Sequence, residues 1–224
     1  MSPYEPRTRL QDARLLLVTD PRPDLPERVR AAVRGGVEVV QLREKDRPAG
    51  ELLPLAEELA EACGGEAIFT VNDDLELARL CAAEGIAGGI HLGQEDASTA
   101  EARRLLGAGA IVGRSAGTIE EAWEALRNGA DYLGVGAVYA TPTKPGGDVG
   151  GLDLIRALSG ERPPVPWFAI GGVTLETARE VAEAGAPGFA VVRAVLDADD
   201  PEAAARELRA RLPAGPQTGA RTTS

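Results

Sequence analysis

Eight short apolar runs recur along the chain, and their spacing restricts its fold more than any other feature. They are LLLV (15–18), VEVVQL (37–42), AIFTV (67–71), GIHL (89–92), AIVG (110–113), YLGVG (132–136), WFAI (167–170) and FAVV (189–192). Several are almost continuous in apolar residues, as expected of strands covered on both faces. Stretches of helical character follow them, at 25–34, 49–62, 75–83, 98–106, 118–128, 152–158, 174–184 and 201–211. Ser98 before Glu101 and Thr118 before Glu121 have capping-box spacing. Gly129 and Gly185 follow helical stretches, where a left-handed residue is common. Strand alternating with helix at roughly 25-residue intervals predicts a parallel α/β sheet. Closure into a single (β/α)8 (TIM) barrel is the most economical topology. A doubly wound open sheet is the alternative, weakened by the lack of GxGxxG after the first run.

A chain of 224 residues suits one such barrel and buries roughly 70% of its unfolded surface without disulfides or structural metal. The expected organisation is an N-terminal extension over 1–13, the barrel over 14–212, and a flexible tail over 213–224. That tail, PAGPQTGARTTS, is rich in Pro, Gly, Ser and Thr. The net charge of −11 argues against a nucleic-acid partner but leaves room for a local positive pocket that takes phosphate. Cys63 and Cys81 have no further Cys to complete a zinc site and are expected to be packed, reduced thiols. No apolar run approaches the ~18 residues of a membrane span. The N-terminus lacks the apolar core of a signal peptide, so a cytoplasmic enzyme is expected. The oligomeric state is not encoded in any visible pattern, which leaves room for a homo-oligomer.

In barrels of this kind the site forms at the C-terminal ends of the strands. After the second run come Gln41, Arg43 and Lys45, alternate residues that share one side near a strand end. Two cations and an amide there suit a pyrophosphate, since Arg grips it in bidentate fashion and Lys adds a compact charge. A salt-bridged strand end, Arg43 with Glu44 or Asp46, is the plainer alternative. The third run is followed by Asn72, Asp73 and Asp74, one of them expected to cap a helix. The fourth is followed by Gln94, Glu95 and Asp96. Acids on adjacent strands, facing a pyrophosphate-binding segment, make a Mg²⁺ site, because Mg²⁺ prefers one or two carboxylates with phosphate oxygens and water.

His91 is the only histidine; a hydrogen-bonded structural ring is favoured for it over a general base. Ser115 follows the fifth run and suits a phosphate hydroxyl contact; no His/Asp arrangement to activate it is evident. Thr141, Thr143 and Lys144 follow the sixth run, before a glycine-rich stretch (Gly146, Gly147, Gly150, Gly151) that suits a lid over 145–151. Gly171 and Gly172 follow the seventh run, and Val192 and Arg193 close the eighth, where this fold often binds phosphate on backbone N–H groups. The pattern is two anionic sub-sites, a metal-assisted one over strands 2–4 and a monophosphate one over strands 7–8.

QLREK, VNDD, HLGQED, GxS, TPTK after DYLGVG, AIGGV and the final AVV segment together resemble the thiamine phosphate synthase family, over about residues 14–210. The resemblance implies a transferase of thiamine biosynthesis that joins a hydroxymethylpyrimidine pyrophosphate to a thiazole phosphate. It implies that Gln41, Arg43, Lys45, Asn72 and Lys144 hold the pyrimidine pyrophosphate, with Leu42 and Glu44 of QLREK in the same substrate-binding stretch. It also implies Mg²⁺ on Asp73 and Asp96, Ser115 near the pyrophosphate, and Thr141 and Thr143 on the thiazole phosphate. The latter's phosphate group would lie on the backbone near Gly172, Val192 and Arg193. Arg43, Lys45, Ser115 and Lys144 would act on the leaving group in a dissociative reaction. The chain departs from the family pattern at Arg193, where Ser is usual, and at Gly117, where His is frequent. The rivals are a thiazole tautomerase of the same barrel and a non-catalytic barrel that binds thiamine precursors.

Overall fold

The computed structural model describes residues 5–140 and 149–213. All eight apolar runs become strands: β1 (Leu15–Val18), β2 (Val39–Leu42), β3 (Ile68–Asn72), β4 (Gly89–Leu92), β5 (Ile111–Ala116), β6 (Tyr132–Val135), β7 (Trp167–Ile170) and β8 (Phe189–Val191). Neighbouring strands pair in parallel, and β8 returns to β1 with Leu15 opposite Phe189, closing the barrel.

The period-two alternation of a strand sends its side chains to two different places. Leu15, Leu17, Val40, Leu42, Val71 and Ile90 enter the shell between strands and helices. Leu16, Val18, Val39, Ile68, Ile111, Tyr132, Phe168 and Ala190 fill the lumen. The shell and the floor of the lumen are both apolar, which is why the runs read as continuous rather than alternating. Each fully buried large side chain contributes about 1.5–3 kcal/mol.

The helices are α1 (Glu5–Asp12), α2 (Leu25–Arg34), α3 (Ala49–Cys63), α4 (Leu75–Ala83), α5 (Thr99–Leu106), α6 (Ile119–Arg127), α7 (Gly151–Glu161), α8 (Ala178–Glu183), α9 (Arg193–Leu196) and α10 (Pro201–Ala210). The expected caps form: Ser98 Oγ accepts from Glu101 N at 3.1 Å and Thr118 Oγ1 from Glu121 N at 3.1 Å. Gly129 and Gly185 take φ of 85° and 103°. Cys63 and Cys81 are buried free thiols. Burial pushes them up to about 12 and about 11, so both stay protonated.

Four features depart from the sequence reading, the first being the short helix α9, which no expected helical stretch covers. The extension before β1 carries α1, whose Leu10 is buried in the lumen cluster with Ala13 and closes the N-terminal end of the barrel. Helix α8 begins at 178 rather than 174, because Thr177 Oγ1 accepts from Thr174 N at 2.9 Å and holds residues 174–177 as a turn. Strand β5 runs to Ala116, so Ser115 stands within the strand and not after it. No described helix is long and apolar enough to cross a membrane.

Candidate active site

The C-terminal ends of β2, β3 and β4 bring the first predicted sub-site together. Gln41 is buried in the lumen, and the next residues emerge at the mouth: Arg43 is half-buried and Lys45 exposed. The backbone is held there by Thr19, whose Oγ1 accepts from Arg43 N at 2.9 Å. Leu42 lies in the strand–helix shell, 1% exposed, so only its backbone borders the mouth. The Glu44 carboxylate turns back to accept from Asp46 N at 3.1 Å.

The three polar residues after β3 divide their work. Asp74 caps α4, its Oδ1 accepting from Leu77 N at 2.9 Å. Asp73 is instead held at φ 60°, a left-handed conformation that Asp tolerates better than most residues. Its backbone N–H donates to His91 O at 2.8 Å, which extends the β3–β4 pairing. Its carboxylate meets Lys45 Nζ at 3.4 Å. It also stands within hydrogen-bonding reach of Asp96, on the neighbouring β4 end. Burial first, and then Asp96, push the Asp73 carboxyl above its ordinary range, against the pull of Lys45. Asp96 is fixed from the other side by Gly93 N, which donates to Oδ2 at 2.6 Å. A partly buried Asp73 carboxyl and an exposed Asp96 carboxyl, from the segments after the adjacent strands β3 and β4, are the kind of donors that a hard divalent cation takes, and Mg²⁺ needs no more than one or two carboxylates from a protein.

The lumen below is polar in a way the sequence did not make evident. Gln41 Nε2 approaches Tyr132 Oη at 3.4 Å. Tyr132 Oη is 3.1 Å from His91 Nδ1, and His91 Nε2 is 3.0 Å from Ser115 Oγ. A serine–histidine contact therefore does exist here, contrary to expectation. It does not activate the serine, because burial, aided by Arg114, pushes the imidazole down to about 4 and makes it a weak base. Gln94 Nε2 donates to the Ser115 carbonyl at 2.6 Å and steadies the strand end.

On the opposite rim, pairing continues past the ends of β6 and β7: Val138 N donates to Ile170 O at 2.9 Å and Tyr139 N to Gly171 O at 3.0 Å. The turn that follows needs glycine twice. Gly171 and Gly172 have φ of 98° and 67°, and a Cβ on either would lie 2.7 Å from Ala137 or Tyr139. Val192 leads directly into α9, which starts at the exposed Arg193. The structure thus brings Gln41, Arg43, Lys45, Asn72, Asp73, Asp96 and Ser115 to one side of the mouth, and Gly172, Val192 and Arg193 to the other strands' ends. Thr141, Thr143, Lys144 and residues 145–148 of the predicted lid lie outside the described residues. Gly117 is exposed, and its N–H donates to Glu121 Oε2 at 2.6 Å.

A closed parallel barrel with polar groups gathered at its C-terminal mouth defines the class, a (β/α)8 protein with its candidate site at that mouth. The family model described as thiamine monophosphate synthase matches residues 15–195, and the chain belongs to that family. It is 45% identical over 208 residues to a thiamine-phosphate synthase from Synechococcus sp. (strain WH7803), covering 90% of this chain and 58% of that relative. The chain thus spans little more than half the length of that relative. A thiamine-phosphate synthase from Thermus thermophilus is 46% identical over 205 residues, 89% of this chain and 97% of the relative. Among solved structures, a thiamine phosphate pyrophosphorylase from Pyrococcus furiosus superposes with a TM-score of 0.77 at 35% identity, covering 92% of this chain and 96% of its own.

Proposed function

We propose that the chain condenses 4-amino-2-methyl-5-hydroxymethylpyrimidine pyrophosphate with thiazole phosphate, plain or carboxylated, to give thiamine phosphate and pyrophosphate, with CO2 as a further product when the thiazole is carboxylated. The observation that carries this reading is the pairing of Asp73 with Asp96 beside Lys45 and the Arg43 strand end. That grouping offers cations and a divalent-metal donor set at one place, which a pyrophosphate ester requires. Asp73 and Asp96 would hold Mg²⁺, which neutralises charge on the pyrophosphate oxygens when bound.

In this reading the C–O bond to pyrophosphate breaks first, its electron pair leaving on the bridging oxygen. The resulting pyrimidine-methyl cation is captured by the lone pair of the thiazole nitrogen, forming the C–N bond. Arg43 and Lys45 stabilise the charge that grows on the leaving group. Ser115 donates to the same oxygens. The loop backbone at Gly172 and Val192, with the cation of Arg193, holds the thiazole phosphate in line with the methylene carbon. No strong base is required. The reaction needs neither nucleic acid nor membrane, and a cytoplasmic location fits it.

A tautomerase of the same fold would need a proton shuttle at the mouth. His91, the only histidine, is buried with both ring nitrogens engaged, which disfavours that reading. The test is product formation by the purified protein. Thiamine phosphate and pyrophosphate in equal amounts support the synthase, whereas an isomerised thiazole phosphate with no coupled product rejects it.

A further inference from the structure

The lumen holds a line of polar side chains of which the reaction above uses only the Ser115 end. Gln41 from β2, Tyr132 from β6, His91 from β4 and Ser115 from β5 are linked in that order at 3.4, 3.1 and 3.0 Å. Gln41, Tyr132 and His91 are all nearly inaccessible to solvent, at 3%, 0% and 6% exposure. The barrel makes room for this line at two strand glycines. A Cβ on Gly113 would lie 2.1 Å from the Tyr132 ring and 2.6 Å from His91 Nδ1, and one on Gly134 would lie 3.2 Å from the imidazole.

Donor and acceptor capacities give the line a direction. The Gln41 amide nitrogen can only donate, so Tyr132 Oη accepts from it. Tyr132 has a single hydrogen, and burial keeps the phenol protonated by pushing its pKa up. Thr70, which bonds the phenol too and gives its own hydrogen to Val40 O, competes for that hydrogen; spending it on His91 Nδ1, at 3.1 Å, makes Nδ1 the acceptor. In a neutral imidazole the other nitrogen then carries the proton. Nε2–H donates to Ser115 Oγ, which leaves the serine's own hydrogen free to point into the mouth.

We propose that this line is polarised from Gln41 to Ser115, and that His91 and Tyr132 are positioning residues that make Ser115 a fixed hydroxyl donor to the departing pyrophosphate. With the opposite polarity Ser115 would give its hydrogen to His91 and turn only lone pairs toward an anion. No proton is transferred; the hydroxyl keeps its hydrogen throughout. The identity of the anion rests on the synthase reading, but the polarity of the line does not.

Because His91 is the only histidine, ¹⁵N-histidine labelling of the whole chain reports one ring. At neutral pH the substrate-free protein should show a single Nε2–H tautomer, and inorganic pyrophosphate with Mg²⁺ should shift the Nε2 signal without changing the tautomer. An Nδ1–H tautomer, an averaged pair or an imidazolium overturns the proposal whether or not the protein turns over. Tyr132→Phe should yield mixed tautomers and lower kcat for pyrophosphate release about tenfold, with KM for thiazole phosphate unchanged. Ser115→Ala should lose a similar factor, and the double variant should lose no more than the worse single one, since both interrupt one line. Full rate and an unchanged tautomer in Tyr132→Phe, or additive losses, overturn it. A wild-type protein that releases no pyrophosphate yet shows the Nε2–H tautomer instead rejects the synthase reading and leaves the polarised line standing.

Discussion

Asp73 and Asp96 stand on the ends of adjacent strands with their carboxyl groups in hydrogen-bonding reach, and Lys45 approaches Asp73 at 3.4 Å. Burial of Asp73 first, and then the nearby Asp96 carboxylate, raise the Asp73 pKa against the pull of Lys45. Asp96→Asn removes one charge and one candidate metal ligand. Turnover should fall by at least about tenfold at limiting Mg²⁺, since loss of one charge-assisted contact costs roughly 1.5–3 kcal/mol, and excess Mg²⁺ should restore part of it. A Mg²⁺ titration of pyrophosphate release checks this; near-normal rates at low Mg²⁺ would remove Asp96 from the metal site.

The neighbouring acids should give opposite readouts. Asp74 caps α4 through Leu77 N. Asp74→Ala should lower stability by about 1 kcal/mol, seen as a lower midpoint in urea, with little change in the Mg²⁺ requirement. Asp73→Asn should do the reverse.

Arg43→Ala tests the two-sub-site arrangement. It should raise KM for the pyrimidine pyrophosphate by about ten- to a hundredfold, the loss of a charged grip, while sparing thiazole phosphate. Steady-state kinetics with each substrate varied in turn decides it, and equal loss for both would contradict separate sub-sites.

His91 sets an acid limit on stability. Its folded pKa is pushed down to about 4 by burial first and then Arg114, against Asp96, from 6.5. The unfolded chain therefore binds the proton more readily between about pH 6.5 and 4. Stability is unaffected above that window and falls as pH drops through it, by on the order of 3 kcal/mol for this group. Urea unfolding at stepped pH should show the slope, and His91→Gln should flatten it. An equal slope in the variant would assign it to other groups.

Leu10 offers a check on the floor of the barrel. Leu10→Ala should cost about 2–5 kcal/mol by leaving a cavity among Leu16, Val39 and Ile111. Thermal unfolding measures it, and a loss below ~1 kcal/mol would mean α1 contributes little.

The strands were legible because both faces of each are buried, so each reads as an apolar run. β5 ended too early in the sequence because Arg114 and Ser115 are polar, although Ser115 faces the lumen contact with His91. α1 escaped because Leu10 is its one large apolar residue within a charged segment. The places of Arg43, Asp73 and Asp96 just past β2, β3 and β4 were legible, whereas Gln41 lies inside β2. Two things were not. Nothing in VNDD says which acid caps and which faces the site; the left-handed φ of Asp73 decides it. Nor does any local pattern tie His91 to Tyr132, 41 residues away, since barrel closure alone brings β4 and β6 to the same lumen. The separation of Gln41 from Tyr132, 91 residues, hides the rest of the line for the same reason.

Pyrophosphate release from the purified protein, with each of the pyrimidine pyrophosphate, thiazole phosphate and Mg²⁺ omitted in turn, is the deciding measurement. A synthase sustains release only when all three are present, with thiamine phosphate formed in equal amount. Release without thiazole phosphate at the same rate, or no release with all three, would contradict the synthase reading.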